Sequence, residues 1–339
     1  MSNLNQSKEN FSNKVVHWYL NNGRNNLPWR KNISPYRVWI SEIMLQQTQV
    51  KTVIPFFKRF INKFPNLKSL SSASEDDILA LWTGLGFYRR AKNVFKTKEI
   101  IREDYKNIFP KKFEELILLP GIGRSTAGAI MSIAYKRPYP ILDANVKRVI
   151  SRFDNINIDN KKAIKLLWSL SESYTPSKNI FEYTQGIMDL GAVVCHTSSP
   201  SCSECPLRIS CKGAYKKFGI SKKSRKQKLH KKINFTLAHS NQSFLLFRRN
   251  EKSFWESLWV PYDNQYKEKS NIFKYPLRSE VKNLNHALSH IDLDITIEIF
   301  DYKKPFKIKT NLEHQWINKN EIHEYGLPKP IKSIIENYV

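Results

Sequence analysis

All four cysteines of the 339-residue chain fall in one short window, Cys195, Cys202, Cys205 and Cys211, spaced C-x6-C-x2-C-x5-C. The N-terminal MSNLNQSKEN lacks the basic-then-apolar order of a secretory signal, which argues against disulfides, because reducing compartments do not maintain them. Four thiolates close in sequence suit a tetrahedral metal ion or a cubane iron–sulfur cluster. Structural zinc sites commonly use two C-x2-C knuckles; only one is present, and the wide flanks suit wrapping a larger object. A cluster is the leading reading, with zinc and unmetallated thiols left open. His196 abuts Cys195 but reads as a surface residue, since four thiolates already complete either site.

Two carboxylates also invite chemistry. Glu42 lies in VWISEIMLQQTQV, beside Trp39, Ile40, Ile43 and Met44. Burial on so apolar a helix would raise its pKa and make it a proton donor near neutral pH. The plainer reading is a glutamate at the edge of a helical stripe, facing water or an arginine. Asp143, in LDANVKRV, stands just before a predicted helix and would cap it. The same carboxylate could stabilise a cationic, oxocarbenium-like sugar. Both roles fit one residue.

The elements that must hold these groups are mainly helical up to about residue 215. Amphipathic patterning predicts helices near 8–22, through 38–60, and near 75–83, 88–103, 112–118, 124–135, 145–153, 160–173 and 178–194. LPGIG at 119–123 gives a turn in which Gly121 and Gly123 leave backbone N–H groups free at the start of the next helix. A phosphate can bind there; a simple helix–helix turn is the alternative. Residues 216–232 hold nine Lys or Arg and no acid, a segment suited to lying along phosphates or to a solvated hinge. From residue 233 the texture becomes strand-like, with INFTLAHS and FLLFRRN around a polar turn, then ITIEIF and PFKIKT, and a closing helix near 330–338. The division is therefore 1–215, a linker at 216–232, and an α+β domain at 233–339.

Charge narrows the partner. Lys and Arg number 56 against 30 acids, a formal +26, which favours a polyanion such as nucleic acid. The most apolar stretch, 116–135, is broken by Pro120, three glycines and Arg124, so no membrane span is expected. Abundant solvated lysine is the plainer account of the charge.

Taken together, LPWR at 27–30, PYRVWISEIMLQQTQV at 35–50, GLGFYRRA at 84–91, LPGIGRSTAGAI at 119–130, ILDANVKRV at 141–149, QGIMDLGAVVC at 185–195 and the cysteine loop resemble the helix–hairpin–helix DNA glycosylases of the MutY-type adenine-excising family. The resemblance implies a mainly α N-terminal glycosylase domain with a [4Fe-4S] cluster loop at 195–211. It implies that Glu42 protonates adenine at N7, that Asp143 stabilises the cationic sugar, and that Asn145 supports them. Ala144 departs from the glycine common there. Leu45, Gln47 and Tyr88 match positions that wedge into the duplex, with Gln46 and Thr48 alongside, and Gly121, Gly123 and Ser125 sit on the DNA-gripping hairpin. Where lyase relatives of the endonuclease III type carry a lysine, this chain has Ser125; a hydroxyl cannot form an imine, so hydrolysis without strand cleavage is expected.

The C-terminal domain, with FWESLWVPYDN and LSHIDLDI, resembles the family's Nudix-like module without a hydrolase box. Ser289 and His290 match a loop that touches 8-oxoguanine, while Leu288 replaces its aromatic residue. The expected substrate is double-stranded DNA carrying adenine opposite 8-oxoguanine or guanine, and the expected form is a cytoplasmic monomer, nucleoid-associated if bacterial. Two rival readings are an oxidised-pyrimidine glycosylase with lyase activity and a non-catalytic iron–sulfur DNA-binding protein.

Overall fold

The computed structural model describes residues 2–158, 162–216, 228–251, 254–266 and 272–338. Residues 217–227, and with them most of the basic segment expected at 216–232, lie outside the described residues. The chain packs as two compact units, one of residues 1–72 and 96–222, the other of residues 73–95 and 223–339. Residues 73–95, which the sequence reading leaves in the N-terminal domain, thus group by packing with the second unit.

The helices run α1 (Ser2–Asn22), α2 (Pro35–Leu45), α3 (Val50–Lys63), α4 (Leu67–Ser71), α5 (Glu75–Trp82), α6 (Arg89–Asp104), α7 (Phe113–Leu116), α8 (Arg124–Ala129), α9 (Ala144–Phe153), α10 (Ala163–Tyr174), α11 (Ile180–Val193) and α12 (Lys329–Asn337). In the first unit, α2 begins at Pro35, whose fixed φ suits a first helical position, with Ser34 accepting from Arg37 N–H. Seven of its residues are buried, Trp39 and Ile40 completely. The helical pattern expected through 38–60 is interrupted after Leu45. Gln47 takes a left-handed φ of 57°, a costly conformation for a non-glycine residue, and the chain turns before α3. α8 passes into a π-helical turn at Ile130–Ala134.

Two glycines let helices meet closely. A Cβ on Gly186 of α11 would lie 2.9 Å from the Tyr19 Cβ of α1, and one on Gly191 would lie 2.7 Å from Asn145 Cβ of α9. α11 is therefore pressed against both neighbours along a stripe that is almost wholly buried.

The second unit holds a mixed sheet of β1 (Leu229–Ser240), β2 (Ser243–Arg248), β3 (Trp259–Val260), β4 (Tyr262–Asp263), β5 (Arg278–Ala287), β6 (Ile291–Asp301) and β7 (His314–Asn318). The order is β3-β2-β1-β6-β5, with β4 on β1 and β7 on β2. β1 and β2 form the expected hairpin through Asn241 and Gln242, both at positive φ, as the right-handed twist of a two-residue turn requires. β1 and β6 are parallel and in register, so Ile233, Phe235 and Leu237 stand beside Ile295, Ile297 and Ile299. All six are buried. The strand expected at PFKIKT is absent: residues 305–310 form a loop. Its Phe306 packs between Tyr302 and Trp316, and its carbonyl accepts from Trp316 Nε1 at 3.0 Å. That alternation marks a loop anchored over the sheet. α5 joins this unit through Asp76, which accepts from Trp259 Nε1 at 3.0 Å and pairs with Arg248, as does Glu75.

Candidate active site and cysteine cavity

The carboxyls of Glu42 and Asp143 lie close enough for their charges to couple. Glu42 is one of the few side chains of α2 not fully enclosed. Loss of water around it, then the neighbouring Asp143 charge, raises its pKa to about 8, against a pull downward from Arg30. At neutral pH the group carries its proton. Asp143 caps α9, accepting from Val146 N–H at 2.7 Å. Burial pushes its pKa up, while backbone N–H groups of Val146 and Asn145 and the Arg148 charge pull it back. Both carboxyls are thus raised by burial, Glu42 the more plainly, while donors arranged around Asp143 oppose the rise there.

Arg30 would favour ionised Glu42, but it is already committed. Its Nη1 and Nη2 bond Asp189 at 2.7 and 2.8 Å, and Arg24 adds its backbone N–H and guanidinium to the same carboxylate. Burial alone would raise the Asp189 pKa; the Arg30 and Arg24 bonds and charges outweigh it and hold the group below its usual range. The motifs LPWR and QGIMDLGAVVC are visible in the sequence, but the pairing of their charges is not. The partners lie too far apart in the chain for spacing to join them.

Asn145 accepts from Arg148 Nη2 at 2.8 Å. Arg148 also donates through Nε to Cys195 O at 2.6 Å and reaches Gly191 O. One helical turn on, Arg152 donates to His196 O and Thr197 O at 2.5 and 2.6 Å, with Cys195 Sγ 3.4 Å away. The helix capped by Asp143 therefore holds the start of the cysteine loop with two arginines. Neither was singled out from sequence, although their i,i+4 spacing places them on one face.

Cys195, Cys202, Cys205 and Cys211 line one cavity of about 30 Å³ with Arg152, Pro200 and Gly213. None is paired in a disulfide. Among the described residues no group of three or more His, Cys, Asp or Glu forms a ready single-ion site; the cysteines form a lined cavity instead. Burial pushes the Cys205 thiol up to about 11, against the help of the Leu207 N–H and with the charges of the other thiols adding to the rise. Thiolates gathered this closely repel one another unless a cationic partner sits among them, a demand that a thiolate-ligated iron–sulfur group meets. The donor set fits such a group.

The other expected site residues are distributed as follows. Leu45 and Thr48 flank the exposed, left-handed Gln47, and Gln46 Nε2 donates to Gly121 O at 3.3 Å. Gly121 has a φ of 81°, which glycine supplies without strain. Gly123 has ordinary dihedrals, and nothing lies within 4 Å of an added Cβ. Ser125 accepts from Leu142 N–H at 3.0 Å. Tyr88, in the second unit, donates to Leu327 O at 3.3 Å and accepts from Gly84 N–H at 3.4 Å. Ser289 Oγ and His290 Nδ1 lie 3.0 Å apart in the exposed β5–β6 turn. Leu288 closes that turn by donating to Ile291 O at 2.8 Å.

Residues 40–173 match the HhH-GPD superfamily of base excision DNA repair proteins, and residues 234–337 match the NUDIX domain. The chain is 42% identical over 340 residues to the adenine DNA glycosylase of Buchnera aphidicola subsp. Schizaphis graminum, an alignment covering 96% of this chain and 98% of that one. It is 37% identical over 213 residues to the adenine DNA glycosylase of Homo sapiens, covering 60% of this chain and 39% of the human one. Among solved structures, a thermostable thymine-DNA glycosylase superposes with TM-score 0.55 at 26% identity, covering 62% of this chain and 97% of that one. A non-covalent endonuclease III–DNA complex superposes at TM-score 0.53 and 21% identity, covering 62% and 95%, which shows a shared fold.

Proposed function

The chain belongs to the adenine DNA glycosylases, and from that premise we propose that it hydrolyses the N-glycosidic bond of adenine mispaired with 8-oxoguanine or guanine in duplex DNA. The observation that carries the reading is the pairing of Glu42 on α2 with Asp143, whose carboxyl is fixed at the start of α9 by Val146 N–H at 2.7 Å; burial and the neighbouring Asp143 charge raise the Glu42 pKa to about 8, which favours a proton donor near neutral pH. Excision draws on both carboxyls. Adenine leaves the stack for the pocket, a step costing a few kcal/mol. Glu42 donates its proton to N7, and the C–N bond breaks with its electron pair going to the base. Asp143 stabilises the cationic sugar while water adds at the anomeric carbon and loses a proton. Asn145 supports that carboxylate.

In this reading Leu45, Gln46, Gln47, Thr48 and Tyr88 work at the opened duplex, and Gly121 and Gly123 let the hairpin backbone approach a phosphate. Ser289 and His290 meet the base opposite adenine. Cys195, Cys202, Cys205 and Cys211 would hold a [4Fe-4S] cluster, which supplies cross-linking of the loop when bound. The protein works as a cytoplasmic monomer on the DNA. The structure contains no helix, among the described residues, long and apolar enough to cross a membrane.

The test is incubation of cluster-loaded protein with duplexes bearing each mispair, with and without alkali. Adenine release with strand breaks only after alkali is expected. Breaks without alkali together with a borohydride-trapped adduct would replace hydrolysis by lyase chemistry.

A further inference from the structure

The peptide unit joining Ile141 to Leu142 is held by both of its polar atoms, immediately before Asp143. Ser171 of α10 is buried and donates its hydroxyl to Ile141 O at 2.7 Å. From the other side, Leu142 N–H donates to Ser125 Oγ of α8 at 3.0 Å. A third contact closes on the same segment: a Cβ at Gly128 of α8 would lie 2.3 Å from Pro140 O. The backbone of 140–142 is therefore pressed onto α8, and the plane of its last peptide is fixed by hydroxyls from two helices.

An amide bonded at both its C=O and its N–H cannot rotate without losing a hydrogen bond. The next residue along the chain is the cap, Asp143, whose carboxyl is in turn fixed by Val146 N–H at 2.7 Å. The backbone entering Asp143 and the carboxyl leaving it are thus held independently. The bond at 125 also has a chemical requirement: its oxygen accepts. A lysine ammonium has three donors and no acceptor, so it could not hold Leu142 N–H.

We propose that Ser125 and Ser171 are a pair of positioning residues that clamp the Ile141–Leu142 peptide and thereby set the Asp143 carboxyl against the reacting sugar. The proposal rests on the glycosylase reading of Asp143. In it, Ser125 does more than withhold a nucleophile; its hydroxyl holds the backbone behind the catalytic carboxylate.

The experiment compares wild type, Ser125→Ala, Ser171→Ala and the conservative Ser125→Thr in the cluster-loaded full chain. It measures single-turnover adenine excision, duplex affinity, and hydrogen exchange of the Leu142 amide in the free protein. Ser125→Ala is expected to slow excision about tenfold, the rate equivalent of one lost hydrogen bond, with a clearly smaller loss of duplex affinity. Exchange at Leu142 should rise by a similar factor while the interior amides of α9 stay protected. Ser125→Thr keeps the acceptor and should restore both. Wild-type excision by Ser125→Ala, a rate loss matched by an equal loss of affinity, or failure of Ser125→Thr to restore the rate would each overturn the clamp. Should wild type release no adenine at all, the glycosylase reading fails, and the Leu142 exchange still decides the clamp. Unchanged protection in both Ser125→Ala and Ser171→Ala would end it.

Discussion

At the scale of single residues, Glu42 costs stability at neutral pH, the cost expected of the proton donor proposed for it. Its folded pKa, about 8, stands above the unfolded value of 4.5, so between those limits the folded state binds more protons than the unfolded one. Stability from this group is therefore greatest below pH 4.5 and falls as pH rises towards 8. Glu42→Gln removes the titration. The variant should gain melting temperature relative to wild type as pH is raised from about 5 to about 8, while excision falls by about 10²-fold or more. A constant difference in melting temperature across that range would contradict the pKa. In wild type the excision rate should also decline above about pH 8, as the donor loses its proton. Glu42, Asp143 and the cysteines could be singled out as candidates because each signal is local: an acid in an apolar helix, an acid before a helix start, four thiols in one window. The Asp189 cage was not, since Arg24 and Arg30 meet it only through the fold.

At the scale of elements, α9 links the two sites, because it starts at Asp143 and grips the cysteine loop through Arg148 and Arg152. Arg152→Gln should lower iron content per chain after purification, as the His196 and Thr197 carbonyls lose their donors. Unaltered iron content and cluster absorbance would refute that support. The glycines offer a contrast between packing and access. Gly191→Ala puts a methyl 2.7 Å from Asn145 Cβ and should cost about 1–3 kcal/mol in denaturant unfolding. Gly123→Ala meets open space, so it should change stability by less than about 0.5 kcal/mol and yet weaken duplex binding, if the hairpin backbone approaches phosphate. Equal affinities for Gly123→Ala and wild type would remove the hairpin from the DNA interface. Helices were readable from periodicity almost throughout. The missed strand β5 is polar and mostly exposed, so it carries no apolar alternation to detect. The false strand at 305–310 had alternation because Phe306 and Ile308 anchor a loop onto the sheet.

At the scale of the whole molecule, the +26 charge predicts duplex binding that weakens steeply with salt as counterions are released. A flat dependence on salt would contradict a phosphate-led contact. The two-part organisation was legible as a change of texture near residue 233, but the grouping of residues 73–95 with the second unit was not. It depends on Arg248 and Trp259 meeting Glu75 and Asp76 from far along the chain. The central claim is one of chemistry: that a protonated Glu42 beside an anionic Asp143 releases adenine. Single-turnover excision at about pH 7 on a duplex carrying adenine opposite 8-oxoguanine, run side by side with wild type and Glu42→Gln, tests it most directly. Wild type should release adenine and leave alkali-dependent breaks, and the variant should be slower by about 10²-fold or more. Equal rates for the two proteins, or no adenine released by cluster-loaded wild type, would contradict the claim.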